Sequence, residues 1–276
     1  MKTDERRRAD AARWQDIYED DCAVPPGTDL AASADELAKA LRDPDPAVRD
    51  GAPYVVLRTW ISRDVIDGTL RARLGAVMAD RFTDPEIEAR TFAPLVLDMI
   101  VSRGDFDASW LTAFSRWYAA ETDLRGYDDE LGWLHAVAHG ADLLGTFGLH
   151  PEVDPVVMLT LAARRLLAPT DQLFAQQEDD RLARAIARVL TRPELTGAQA
   201  TDWLAPIEAD FAAGRTSGVP TTAAHTSNAM RTLRTLYVLA DVGVVTERGG
   251  PVVRPRHAEA LKRRLAEVLS LVFQSY

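Results

Sequence analysis

Two aspartate–proline pairs that recur at a fixed distance constrain the fold of this chain more than any other feature. Asp45-Pro46 and Asp84-Pro85 lie 39 residues apart. Aspartate is a favoured N-cap of an α-helix, and proline is tolerated in the first helical turn because its missing N–H is not needed there. Each pair therefore predicts the start of a helix. A period near 40 residues is typical of HEAT-like helical hairpins.

An alanine–proline pair follows each of these starts, at Ala52-Pro53 and at Ala93-Pro94. A proline within a helix removes one backbone hydrogen bond and kinks the helix, so we expect two kinked helices, each followed by a straighter one. Helical periodicity continues along the chain. We therefore predict an all-α fold, a HEAT-like α-solenoid of about five helical hairpins. A closed α/α toroid is the alternative, because helix count and order do not show closure.

The remaining segments complete this expected organisation. Residues 1–29 are predicted to form an N-terminal helix and a connector, and residues 30–276 a single helical-repeat domain. Later helices are predicted over 129–147 and 170–190. No strand is predicted, although 242–250 could form a short hairpin or a loop.

Composition excludes several classes of function. The formal net charge of −10 disfavours binding to nucleic acids, whose phosphates an acidic protein repels. Cys22 is the one cysteine, so no internal disulfide can form, which fits a cytoplasmic location. The N-terminus lacks the apolar segment of a signal peptide, and no apolar run reaches the length of a membrane span. The chain also lacks a phosphate-binding loop, a dinucleotide fingerprint, a Cys-x-x-Cys pair and a nucleophile elbow.

The stretch from Glu121 to Asp142 is chemically the most distinctive. It contains two of the five histidines, His135 and His139, and six acidic residues against the single arginine Arg125. The resulting charge of −5 would favour cationic or amine-bearing ligands, or a basic peptide.

The same stretch carries a family resemblance. The string Gly-Trp-Leu-His-Ala-Val-Ala-His-Gly-Ala-Asp over 132–142, with Asp-Leu-Arg-Gly over 123–126, resembles the bacterial family called domain of unknown function 2785. Weaker similarity lies at 178–184 and 228–237, and the resemblance covers about Ala32 to Leu239. It implies a helical-repeat fold and implies no activity.

On a helix, His135, His139 and Asp142 would fall within about 60° of one another and form a polar stripe, with Trp133 pointing into the core. One interpretation of the stripe is a metal site of these three side chains, with Glu178 or Asp179 as a further ligand. The metalloprotease mechanism is not supported, because Ala136 stands where that motif has a glutamate.

Two other interpretations remain open. The stripe could belong to a groove that binds a small molecule or a peptide, or that exchanges protons as an acid–base enzyme. It could instead be structural, with Arg125 bridging carboxylates and with His139 and Asp142 pairing with Arg181 or Asn228. A protein–protein scaffold is a further alternative.

We prefer the binding protein, whose partner would be a small molecule or a peptide. No cofactor is predicted, apart from a divalent metal ion in the first interpretation. The candidate binding residues are Asp123, Arg125, His135, His139, Asp142, Glu178, Arg181, Asn228 and Arg234.

Overall fold

The computed structural model describes residues 2–216, 222–247 and 249–272. The described part of the chain is mostly helical with little strand, which confirms the all-α class. The first seven helices are α1 (Lys2–Glu19), α2 (Leu30–Ala40), α3 (Pro46–Arg49), α4 (Ala52–Ser62), α5 (Gly68–Arg81), α6 (Ile87–Ser102) and α7 (Ala108–Ala120). After the strands β1 (Tyr127–Asp128) and β2 (Gly132–Trp133) come α8 (Ala136–Leu149), α9 (Pro155–Leu167), α10 (Glu178–Val189), α11 (Gln199–Asp202), α12 (Ala205–Thr216) and α13 (Ala224–Val242). The strands β3 (Val244–Val245) and β4 (Val252–Val253) precede the final described helix, α14 (Ala258–Ser270).

Contacts divide the chain into two compact units. The first comprises Met1–Phe114 with Tyr127–Leu134, and the second comprises Ser115–Gly126 with His135–Tyr276. The predicted single domain over 30–276 includes residues outside the described part of the chain, among them Tyr276. It stays a prediction. None of the described helices is both long and apolar enough to cross a membrane.

The first aspartate–proline pair of the first unit starts a helix as predicted, but the second does not, because α6 begins at Ile87 with Glu86 as its N-cap. The first alanine–proline pair does not kink a helix. Asp45 caps α3, which ends after four residues, and α4 begins anew at Ala52. Proline at position 53 has no N–H for the carbonyl of Arg49 and would collide with it, so the helix cannot continue. Pro94 does lie inside α6, as predicted.

A buried arginine anchors a short hairpin in this unit. Arg49 is 0% exposed, and its guanidinium donates to the backbone carbonyls of Asp43, Leu131 and Trp133. Its Nε donates to the Asp50 carboxylate at 2.9 Å. These bonds fix the antiparallel pair β1–β2, which the sequence did not predict.

The hairpin replaces the start of the helix predicted over 129–147. The Asp128 carboxylate accepts hydrogen bonds from the N–H groups of Glu130 and Leu131, and Gly132 has a φ of 71°. This local turn competes with helix formation. Trp133, predicted to be core, is 42% exposed and lies edge-on to Tyr127, with ring centroids 5.0 Å apart. The prediction failed because Trp133 lies on a strand, where the helical period does not apply.

The second unit contains a closely packed series of helices. α8 contacts α10, α10 contacts α13, and α13 contacts α14. Gly148 of α8 faces Val189 of α10 with no room for a Cβ atom between them, which lets the two helices approach closely. The helix predicted over 170–190 begins only at Glu178. A hairpin does follow α13, with Val245 opposite Val252, but its second strand lies beyond the predicted 242–250, and Arg248 lies outside the described residues.

Candidate functional site

The site is built on the C-terminal end of α7. The Glu121 carboxylate accepts from the Trp117 indole N–H at 2.7 Å and from the N–H groups of Thr122 and Asp123 at 3.0 Å. Arg165, which is 2% exposed, donates to the carbonyls of Tyr118 and Glu121. The last carbonyls of a helix lack intrahelical partners, so these bonds give α7 a fixed end and orient the following segment.

His135 is not on the helix face where the sequence places it. It precedes α8 in the left-handed conformation, with φ 52° and ψ 39°, and its N–H donates to the carbonyls of Arg125 and Gly126, each at 3.2 Å. The predicted stripe of His135, His139 and Asp142 on one helix is therefore wrong at its first member. A left-handed conformation is uncommon for a residue other than glycine, and such strain clusters at functional sites.

Glu178 is the partner that the fold brings to His135. Its Oε1 lies 3.3 Å from His135 Nδ1, and the side chains of Glu178 and His135 are 2% and 12% exposed. The Oε2 atom accepts from the N–H of Gln176 at 2.7 Å. Gln177, immediately before α10, is also left-handed, with φ 64°. Two helices thus start after strained residues, and the two starts meet at one carboxylate–imidazole contact.

The ionised form of Glu178 is favoured in this environment. Burial by itself would raise its pKa. The contact with His135 and the backbone N–H groups of Glu178 and Gln176 outweigh burial, so the pKa of Glu178 lies below its ordinary value. Gly126 is required here, because any Cβ atom would collide with Glu178 Oε1.

This shift predicts how stability depends on pH. An acid whose pKa is lower in the folded chain stabilises the fold above its ordinary pKa, and the contribution is lost as pH falls through the folded value. We expect Glu178→Gln to be less stable than wild type at neutral pH, with a gap that shrinks below about pH 5. Urea denaturation between pH 7 and pH 3 measures this gap.

The exposed Glu130, replaced by glutamine, is the control for this experiment and should show no comparable gap. A gap between wild type and Glu178→Gln that widened as the solution became more acidic would contradict the assignment.

His139 lies beside this contact. It is 7% exposed, and its ring centroid is 5.5 Å from that of His135. Among the residues that the structure describes, no three His, Cys, Asp or Glu side chains are arranged to hold a metal ion. The set proposed from the sequence, His135, His139 and Asp142, is not assembled, because His135 lies outside the helix and Asp142 turns to an arginine.

The predicted pair of Asp142 and Arg181 is present, with Arg181 Nε 3.4 Å from Asp142 Oδ1 and a closer contact to Oδ2. Arg125 bonds the Asp123 carboxylate with two nitrogens, at 2.9 and 2.6 Å. The −5 charge counted along 121–142 is thus partly neutralised by Arg181, which lies far away in sequence.

Arg231 is a residue of this region that the candidate set missed. Its Nε lies 2.7 Å from Oδ2 of Asp179, which is 4% exposed. Burial raises the pKa of Asp179, and Arg231 opposes that shift. In the sequence, Arg231 was marked only by its i,i+3 spacing from Asn228. The sequence gave no sign of the ion pair, because the partner, Asp179, lies more than fifty residues away.

Asn228 holds the segment that leads into α10. Buried in α13 at 1% exposure, its amide accepts from the N–H of Phe174 and donates to the carbonyl of Gln172, both at 2.9 Å. An asparagine within a helix predicts a specific hydrogen bond of this kind. Asn228 therefore positions Glu178 indirectly, whereas Arg234 is exposed on α13 beside Tyr237.

The family model for proteins of unknown function, DUF2785, matches residues 80–238. The chain belongs to this family. The match starts later than the expected Ala32, and it includes His135, Glu178 and Asn228. Comparison with curated proteins and with solved structures gave no match.

Proposed function

We propose that this protein binds a small molecule or a peptide segment at His135. The observation that carries the proposal is the left-handed His135, whose imidazole lies 3.3 Å from the buried carboxylate of Glu178. A fold that needed only packing here would not require a strained histidine, whereas a ligand needs a side chain held in one orientation. The 12% exposure of the His135 side chain leaves one edge within reach of a ligand.

The ligand class that we favour is an amine or a guanidinium, free or within a peptide. Glu178 is ionised beside the imidazole, and acids outnumber bases along 121–142. Asp123 and Asp142 already pair with Arg125 and Arg181, which reduces the preference for a cationic ligand. The proposal therefore rests mainly on Glu178 and His135. Of the other members of the candidate set, Asn228 holds the segment that leads into Glu178.

A histidine-specific NMR titration with spermidine tests the proposal. We expect spermidine to shift the His135 ring resonance of wild type and to bind at least about tenfold more weakly to Glu178→Gln, since charge-assisted contacts contribute about 1.5–3 kcal/mol. We expect His135→Asn to lose binding while far-UV circular dichroism stays unchanged, because asparagine tolerates the left-handed region.

The second histidine–carboxylate pair of this unit, His225 with Asp210 at 3.3 Å, provides a matched control. His225→Asn should leave spermidine binding unchanged. If spermidine moves no His135 resonance, the amine class is wrong. If His135→Asn unfolds at 25 °C, the residue is structural, and a scaffold without a small-molecule contact becomes the better explanation.

An acid–base enzyme is the second candidate, and the contact of Glu178 with Nδ1 favours it. A carboxylate at one ring nitrogen fixes the tautomer and orientation, so Nε2 would exchange the proton with a substrate. The metal-dependent form of this candidate is tested by elemental analysis of purified protein. Stoichiometric metal that is lost in His135→Asn would support it, and metal-free protein that binds spermidine would not.

We also propose that the helices form a HEAT-like α-solenoid, with the closed α/α toroid as the alternative. The serial contacts of α8, α10, α13 and α14 support a repeat in which each helix pair packs on its neighbour. Small-angle X-ray scattering distinguishes the two, because an open array is more extended than a ring.

A cytoplasmic location is proposed from the single cysteine, Cys22, which is free.

A further inference from the structure

The hairpin β1–β2 presents two aromatic rings to solvent. Tyr127 and Trp133 lie directly opposite each other in the register of the two strands, so their side chains share one face. They are 49% and 42% exposed in the folded chain, and their ring centroids are 5.0 Å apart. Single exposed apolar side chains are ordinary, whereas an adjacent tyrosine and tryptophan are the residue types that dominate binding at protein interfaces.

The backbone that carries these rings is fixed independently of any partner. The buried Arg49 donates to the carbonyls of Leu131 and Trp133. Gly132 lies so close to Pro46 that a Cβ atom at position 132 would be 2.7 Å from the Pro46 Cβ atom. A preformed surface loses little conformational entropy on binding, so a small contact area is sufficient for measurable affinity.

The charge of the hairpin is negative. Residues 127–134 contain three acids and no lysine or arginine. The side chains of Asp129 and Glu130 are exposed, and neither forms an ion pair within the part of the chain that the structure describes. Asp129 follows Tyr127 by two residues, so their Cα atoms are at most about 7 Å apart. Carboxylates therefore lie within reach of a group that contacts the rings.

This charge selects the class of partner. Nucleic acids, anionic lipid surfaces and the same hairpin of a second copy would all be repelled by the three acids. A guanidinium stacks on an aromatic ring and also pairs with a carboxylate, so arginine suits both features of the hairpin. Lysine suits them less well, because its ammonium is a compact, strongly hydrated point charge.

We propose that the β1–β2 hairpin is a docking surface for an arginine-containing segment of another protein. Guanidinium groups of this segment stack on Tyr127 and Trp133 and pair with Asp129 and Glu130. None of these four side chains belongs to the proposed His135 site, so either proposal can fail without the other.

Two peptides that differ only in charge test this surface: a short acetylated peptide of alternating glycine and arginine, and the same peptide with citrulline in place of each arginine. We expect the arginine peptide to shift the amide resonances of 127–134. By calorimetry it should bind about threefold to thirtyfold more tightly than the citrulline peptide, because citrulline keeps the shape of arginine and loses its cation–π contacts and ion pairs.

Two variants separate the contributions of the carboxylates and the rings. Asp129→Asn combined with Glu130→Gln should weaken the arginine peptide about twofold to fivefold and leave the citrulline peptide unchanged. Tyr127→Thr should weaken the arginine peptide by a similar factor, since threonine keeps the preference for a strand and removes the ring. Unchanged amide resonances of Leu131 and Trp133 without peptide show that the hairpin is retained.

The end of α1 provides a matched control. Tyr18 is 46% exposed beside the exposed acids Glu19 and Asp20, but it contacts no second aromatic ring among the described residues. Tyr18→Thr, and Glu19→Gln combined with Asp20→Asn, should bind both peptides like wild type. His135→Asn should also bind the arginine peptide like wild type, which keeps this result separate from the spermidine titration.

Three outcomes would overturn the proposal. Equal affinity of wild type for the two peptides would show that no cation is recognised. An arginine peptide that binds Tyr127→Thr as tightly as wild type would place the contact away from the rings. If tetramethylammonium displaces the arginine peptide at equal concentration, the hairpin is a site for small cations and the assignment of a peptide partner is wrong.

Discussion

Arg49→Met is expected to lower the free energy of unfolding by about 3 to 5 kcal/mol, the cost of removing one partner from a buried charged contact. Arg49 is fully buried, and its loss would leave the carbonyls of Leu131 and Trp133 without their donor. Burial already raises the pKa of Asp50, and Arg49 opposes that rise. The variant should therefore recover part of its stability in acid, where Asp50 becomes protonated. Urea denaturation followed by circular dichroism measures both effects.

Arg42→Met is the control for Arg49→Met. Arg42 pairs with Asp84 at 2.8 Å, but 43% of its side chain is exposed. Exposed ion pairs contribute little, so we expect a change below about 1 kcal/mol. If Arg49→Met and Arg42→Met have the same denaturation midpoint, Arg49 does not anchor the hairpin energetically.

Gly140→Ala should destabilise the protein by about 2 to 3 kcal/mol, even though alanine is the better helix former. A Cβ atom at position 140 would overlap the ring of Tyr118. The ring cannot move aside, because Tyr118 is 1% exposed and its hydroxyl donates to the carbonyl of Val137 at 2.9 Å. Thermal and urea denaturation of the purified variant report the loss.

Gly214→Ala is the control for Gly140→Ala, because it also replaces a glycine within a helix but should raise stability. Gly214 lies in α12, and a Cβ atom there meets nothing within 4 Å, so alanine should stabilise by up to about 1 kcal/mol.

In a double-mutant cycle, Tyr118→Ala should reduce the cost of Gly140→Ala. Equal costs of Gly140→Ala with and without Tyr118 would refute the overlap as its cause.

Part of the helical structure was predictable from the sequence, because its signals are local, whereas the helices predicted over 129–147 and 170–190 begin only at Ala136 and Glu178. Asp45 caps α3, and Pro94 lies inside α6. The buried hydrogen bonds of Asn228 also followed from its unfavourable propensity within a helix.

The centre of the candidate site was only partly predictable. The helical period was extended through Trp133 and His135, but a positive φ at Gly132 and at His135 ends it. Periodicity contains no information on such backbone conformations. The contact of His135 with Glu178 spans more than forty residues, and its geometry depends on how α8 packs against α10. The sequence suggested Glu178 as a further ligand or binding residue near His135. Its orientation toward the His135 ring could be read only from the structure.

The exposed position of Trp133 makes the hairpin optically separable from the rest of the protein. All six tryptophans lie in the described part of the chain, and the other five, Trp14, Trp60, Trp110, Trp117 and Trp203, are at most 6% exposed. A water-soluble quencher such as acrylamide or iodide would thus act on the emission of one indole, two residues before His135. Native fluorescence can report on this hairpin without any attached dye.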